Sequence, residues 1–111
     1  MEFRDGQIWS TEIQNIAGSI RSTALIISPT EVNKKIKGAI VVCAKSYRKQ
    51  KIVDGRLVLK QVGTVFKEDV LVYCDALATF PEEYFIDYIG TLTFEEMTLV
   101  RSEIKKMLAM D

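Results

Sequence analysis

The chain has 111 residues, 15 Lys and Arg against 15 Asp and Glu, and 48% hydrophobic residues, a length and composition that fit one domain with a packed core. The neutral total excludes a whole-chain electrostatic case for nucleic acid. The lack of any histidine excludes Ser/His/Asp and Cys/His catalysis, histidine metal sites and paired-histidine ribonuclease chemistry. Acid–base work therefore falls to carboxylates, Lys, Arg, Tyr or hydroxyls.

The opening "MEFRDGQIW" has no continuous apolar run, and no stretch reaches the roughly 18 to 20 apolar residues of a membrane span. A soluble, cytoplasmic protein with no membrane partner is the expectation. Short apolar and β-branched runs follow at 7–13 (QIWSTEI), 24–28 (ALIIS), 38–44 (GAIVVCA), 56–62 (RLVLKQV) and 70–74 (VLVYC). The polar or turn-forming pieces "NIAGS", "SPTEVNKK" and "VDG" separate them, a pattern of successive strands. Their spacing of roughly ten to sixteen residues leaves no room for crossover helices and predicts antiparallel meanders in a sandwich or small barrel. Pro29 ends the second run because it has no donor for a continuing ladder. Asp54-Gly55 has the composition of a type I′ turn and predicts a hairpin over 50–62.

Pro81 followed by Glu82 and Glu83 favours a helical turn within "FPEEYFIDY" (80–88), the alternative being a strand extension. Beyond Gly90 the pattern changes. Thr93 and Glu96 form a capping box, Glu95 and Glu96 lie in the first turn, and Arg101, Lys105 and Lys106 lie near the end. Met97, Val100, Ile104, Met107 and Leu108 share one face, so the spacing predicts an amphipathic helix from about 93 to 110 packed on the sheet. Cys43 and Cys74 sit inside apolar runs and read as reduced, buried thiols. With no repeat, linker or low-complexity tract, residues 1–111 read as a single domain.

Charge is segregated along the chain. Lys34, Lys35, Lys37, Lys45, Arg48, Lys49, Lys51, Arg56 and Lys60 meet only Asp54 between 34 and 60, whereas 68–100 is acidic without a basic residue. Gathered in space, the basic residues would form a phosphate-attracting surface; dispersed, they are solvated loops. Within "KSYRKQK" (45–51), Tyr47 adds a stacking surface to Lys45, Arg48, Lys49 and Lys51 as phosphate donors.

The order of these pieces resembles the MazF/PemK family of toxins from toxin–antitoxin pairs, from Asp5 to about Leu108. "DGQIW" (5–9) resembles the family's opening strand, "ALIISPTEVN" (24–33) its second, including Pro29 and Asn33, and "GAIVVCAKS" (38–46) its third. "FKEDVLVYCDALATF" (66–80) is close to a stretch reading roughly Leu-Asp-Lys-Asp-Ser-Val-Val-Leu-Cys-Asp-Gln-Ile-Arg-Thr-Val, and "IGTLTFEEMTLVRSEIKKML" (89–108) resembles the closing segment and helix. The resemblance implies a mainly β fold with a C-terminal α-helix, an SH3-like small β-barrel of the PemK/CcdB type. It further implies a homodimer, a cognate antitoxin peptide as partner, and cleavage of single-stranded mRNA with no metal or other cofactor. In that reaction the ribose 2′-hydroxyl attacks the adjacent phosphodiester to leave a 2′,3′-cyclic phosphate.

On this resemblance Arg21 and Ser46 are the expected catalytic residues, and Ser22, Thr23, Lys45, Tyr47, Arg48, Lys49 and Lys51 the expected RNA contacts. A fixed guanidinium matches a phosphate bidentately, and donors aimed at developing charge often supply the largest catalytic contribution. The family's Arg-Pro pair falls on Ser22-Thr23, with Arg21 one position early; Lys45 stands where a Thr is expected; and Ala76-Leu77-Ala78 replaces Gln-Ile-Arg. A one-residue slip turns a side chain to the other face wherever strand geometry holds. The alternatives are a PemK-like binding protein that does not cut and a CcdB-like toxin acting on a protein target.

Overall fold

In the computed structural model, residues 2–60 and 68–108 are described. Six strands, β1 (Gln7–Asn15), β2 (Gly18–Ile26), β3 (Gly38–Ser46), β4 (Arg56–Leu59), β5 (Val70–Pro81) and β6 (Phe85–Thr91), form one sheet in the order β4-β5-β3-β2-β1-β6. Every pairing is antiparallel. Helix α1 (Thr30–Ile36) links β2 to β3, a 3-10 turn (Glu82–Tyr84) precedes β6, and α2 (Phe94–Leu108) ends the described chain. The architecture is the mainly β, barrel-like form with a C-terminal helix that the sequence predicts. The sheet curls into a body of 30 × 30 × 28 Å, and its edge strands β4 and β6 are not paired with each other among the described residues.

The sheet is buried on both sides, because its apolar residues alternate into two cores. On one side Ile8, Leu25, Val42, Val70, Val72 and Cys74 meet Met97, Val100 and Ile104 of α2. On the other, Phe3, Trp9, Ala24, Ile26, Val41 and Phe85 pack together, with Phe3 4.5 Å from Phe85 and 5.3 Å from Trp9 between ring centroids. The α2 cap is reciprocal as expected: the Thr93 N–H donates to Glu96 Oε1 (2.7 Å) and the Glu96 N–H to Thr93 Oγ1 (3.2 Å). Of the predicted apolar face, Met97, Val100 and Ile104 are buried, Met107 is half-buried and Leu108 is exposed. Arg101 of α2 is ion-paired with Asp5, tying the helix to the start of β1.

Several local expectations are corrected. The second strand begins at Gly18 rather than at Ala24, since β1 templates it residue by residue, from Asn15↔Gly18 to Ile8↔Leu25. Its outer half is exposed and polar, so hydrophobic pattern carries no signal there. "SPTEVNKK" is not a simple connection but carries α1, two turns too short for helical periodicity to register; Asn33 on it is buried, donating to the carbonyls of Phe3 (2.9 Å) and Ser28 (3.0 Å). "FPEEYFIDY" holds both of its alternatives, the 3-10 turn and then β6.

The 50–62 hairpin does not form. Val53 to Arg56 make a turn, closed by Arg56 N–H to the Val53 carbonyl at 3.2 Å, but only Gly55 has positive φ (90°), the type II pattern rather than I′. β4 pairs with β5 instead, Arg56↔Tyr73 through Leu59↔Val70. The end of the expected strand, residues 61–62, lies outside the described residues.

Candidate functional site

The site is made by two strands that part company. A two-residue turn at Ile16-Ala17 joins β1 to β2, stabilised by the Ala17 N–H donating to Asn15 Oδ1 (2.9 Å), the side-chain turn that Asn favours. β2 then pairs with β3 only at Ala24↔Cys43, Leu25↔Val42 and Ile26↔Val41. Among the described residues, 18–23 therefore have β1 on one side and no strand on the other, and a cleft of about 520 Å³ opens between them and the end of β3. Its walls are Arg21, Ser22 and Thr23 of β2, Lys45 and Ser46 of β3, Arg48 and Gln50 of the next loop, and Tyr73 of β5.

That loop is held in place. The Tyr47 N–H donates to the Asp69 carbonyl (2.8 Å) and the Arg48 N–H to Gln50 Oε1 (2.6 Å), while Lys49 takes a left-handed conformation with φ 59°. Of the residues expected to act together, Arg21, Ser22, Thr23, Lys45, Ser46 and Arg48 share the cleft; Tyr47, Lys49 and Lys51 are not among its walls. The basic residues at the end of α1 stand elsewhere, Lys34 and, just past the helix, Lys37 lining a separate cavity of about 160 Å³ with Phe3, Asn33 and Glu82.

Strand geometry does hold at Arg21, which is paired opposite Glu12. Its side chain and that of Ser22 therefore leave opposite faces of β2. Ser22 turns inward, its Oγ 3.0 Å from the fully buried Thr11 hydroxyl, which also donates to the Ser22 carbonyl (3.1 Å). Arg21 turns outward, 73% exposed, with Nε 3.6 Å from Glu12 Oε1. Both still border the cleft.

Three cations and no carboxylate line the cleft, a concentration of positive potential that phosphate would complete. Two wall residues, Gln50 and Tyr73, were not foreseen. The Arg56 guanidinium carbon lies 4.4 Å from the Tyr73 ring centroid and Lys45 Nζ 5.8 Å from it. Arg56 is also paired with Asp75, Nε to Oδ1 3.7 Å. A tyrosine in "VLVYC", where the family stretch has an aliphatic residue, was the available signal for this position.

Neither thiol is poised for nucleophilic work. Burial pushes Cys43 up, against the opposing pull of Lys45, and pushes Cys74 up to about 12, so both are thiols rather than thiolates at neutral pH. No three Cys, Asp or Glu side chains gather as a metal-ligand set among the described residues, and no helix among them is long and apolar enough to cross a membrane.

Solved structures that share this fold include a toxin, an endoribonuclease and a MazE-MazF complex. The complex MazE-MazF of Deinococcus radiodurans superposes with a TM-score of 0.77, at 16% identity over 100% of both chains. An endoribonuclease from a mycobacterial species, solved with its cognate antitoxin, gives 0.74 at 16% identity, covering 98% of this chain and 97% of that one. The Mycobacterium tuberculosis toxin MazF-mt6 gives 0.72 at 15% identity, over 95% and 98%. At such identities these likenesses establish the fold, and no curated protein matches by sequence. The family is established separately: the chain belongs to the PemK-like, MazF-like toxins of type II toxin–antitoxin systems, whose family model matches residues 4–108.

Proposed function

We propose that the chain is the toxin of a type II pair and a metal-independent endoribonuclease that cuts single-stranded RNA in the β2–β3 cleft. The observation that carries this reading is the convergence of Arg21, Lys45 and Arg48 with the hydroxyls of Ser22, Thr23 and Ser46 on one opening without a carboxylate. In the reaction the 2′-hydroxyl gives up its proton as its oxygen attacks the adjacent phosphorus, the bond from phosphorus to the 5′-oxygen breaks, and the departing oxygen takes up a proton, so the products are a 2′,3′-cyclic phosphate and a 5′-hydroxyl with no net proton consumed. Arg21 and Lys45 donate to the non-bridging oxygens as charge accumulates on them, and the Ser46 hydroxyl adds a third donor. Glu12 fixes where the Arg21 guanidinium points. A homodimer and an antitoxin peptide as partner complete the proposal, supported by family membership and by solved relatives whose descriptions name toxin–antitoxin complexes.

A second reading, an RNA-binding member that does not cut, draws on the Arg21–Glu12 pair, which already engages the guanidinium. One experiment separates them: incubate the purified chain and its Arg21→Ala variant with single-stranded RNA in chelator, and resolve the products. Cleavage by the wild type to cyclic-phosphate ends, falling about 100- to 1,000-fold in Arg21→Ala with an unchanged circular dichroism spectrum, supports the enzyme. Salt-sensitive binding without product supports the second reading.

A further inference from the structure

We propose that Tyr73 is the base-binding residue of the cleft: its ring, beside Arg56, is a stacking platform for one nucleobase of a single strand whose phosphates lie on Arg21, Lys45 and Arg48. This deepens the reading of the cleft as a single-strand site and rests on it.

The backbone explains why Tyr73 is available. β5 pairs with β3 at Val70, Leu71 and Val72, and the next matched pair after Ala44↔Val72 is Val42↔Leu77. Residues 73–76 of β5 therefore stand opposite Cys43 alone, an irregularity of the kind that re-aims side chains beside functional sites. Val70, Leu71 and Val72 before it are buried, as is Cys74 after it, while Tyr73 is half-buried and forms part of the cleft wall.

Arg56 sits directly opposite Tyr73 in the β4–β5 ladder, with its guanidinium 4.4 Å from the ring centroid. Arg56 is not part of the cleft wall, whereas Lys45, whose Nζ lies 5.8 Å from the ring centroid, is. The buried Nε of Arg56 has no hydrogen-bond partner, which leaves the ring and Asp75 to position the guanidinium. An aromatic ring with a guanidinium 4.4 Å from its centroid and cationic walls around it are the components that hold single-stranded bases in sequence-tolerant sites. Tyr47, the aromatic that charge patterning suggested for this role, lies outside the cleft wall.

The test uses the full chain and a short 2′-O-methyl oligonucleotide, which lacks the attacking hydroxyl, beside an abasic backbone of equal length and phosphate number. Fluorescence anisotropy of the wild type should favour the base-bearing strand. Tyr73→Leu should lose about 5- to 100-fold on that strand with little change on the abasic one, and Tyr73→Phe should stay within about two-fold of wild type. Equal wild-type affinity for both strands overturns the stacking platform while leaving the cleft as a phosphate site. Binding to neither overturns the platform together with the reading beneath it. A readout that needs no variant is photo-crosslinking of a 5-iodouridine-bearing strand to the wild type: a crosslinked peptide containing Tyr73 is expected, and crosslinks confined to other peptides overturn the proposal.

Discussion

Two cysteines of one chain differ here in how far they are sunk and in the charges beside them, Lys45 near Cys43 against Glu103 and Asp75 near Cys74, and the difference is measurable. Cys74 is fully buried against α2, its Sγ 4.0 Å from the Val100 carbonyl, whereas Cys43 keeps partial exposure. Alkylation of the native protein should modify Cys43 well before Cys74, as resolved by peptide mass mapping. The folded Cys74 thiol holds its proton up to about 12 while its ordinary value is 9.0. Between those values the unfolded chain binds fewer protons than the folded one, so stability is full below pH 9 and falls as pH rises towards 12. Urea midpoints taken at about pH 8 and about pH 10.5 should drop further for the wild type than for Cys74→Ala; equal drops would assign the alkaline loss to other groups. Arg21 is the residue whose setting the sequence left open. Whether a side chain one place out of register still borders a site depends on where the neighbouring strand ends, and that is a tertiary fact.

At the scale of elements, the long runs with a clear period were legible and the short or templated ones were not. Helix α2 announced itself by its capping box and by Met97, Val100 and Ile104, and the strand cores by their β-branched residues. The outer half of β2 was hidden because Gly18 to Thr23 are ordered by pairing with β1 rather than by burying apolar surface. The turn at Asp54-Gly55 was legible as a turn, but its partner strand was not, since composition fixes local φ and leaves the choice of neighbour to packing. Gly55 matters beyond its turn. A Cβ there would lie 2.6 Å from Asp75 Cβ and 3.0 Å from Met107 Cε, and the positive φ disfavours any side chain. Gly55→Ala should therefore destabilise by about 1 to 3 kcal/mol, read as a lower thermal midpoint. By shifting β4 it should also pull Arg56 from Tyr73, altering the tyrosine's fluorescence-detected accessibility to iodide.

At the scale of the whole molecule, a net charge of zero conceals a surface that is locally cationic. Gathering was only partial: Lys34 and Lys37 went to a different cavity, which the linear charge count could not distinguish from Lys45 and Arg48. If three cations of the cleft each neutralise one phosphate of a single strand, log affinity should fall with log salt at a slope of about −2. Removing one of them, as in Arg48→Gln, should flatten that slope by about 0.7. Anisotropy titrations across a salt series decide this, and a slope near zero would mean that phosphates are not what the cleft holds.

The walls of the cleft and the two cores have no residue in common. Ser22 is still tied to the interior through Thr11, but a library randomised at Thr23, Gln50 and Tyr73 should yield mostly folded proteins, and, if the cleft is the RNA site proposed above, proteins with altered preferences. Such a division lets a toxin lineage wander among targets without first having to survive the loss of its fold.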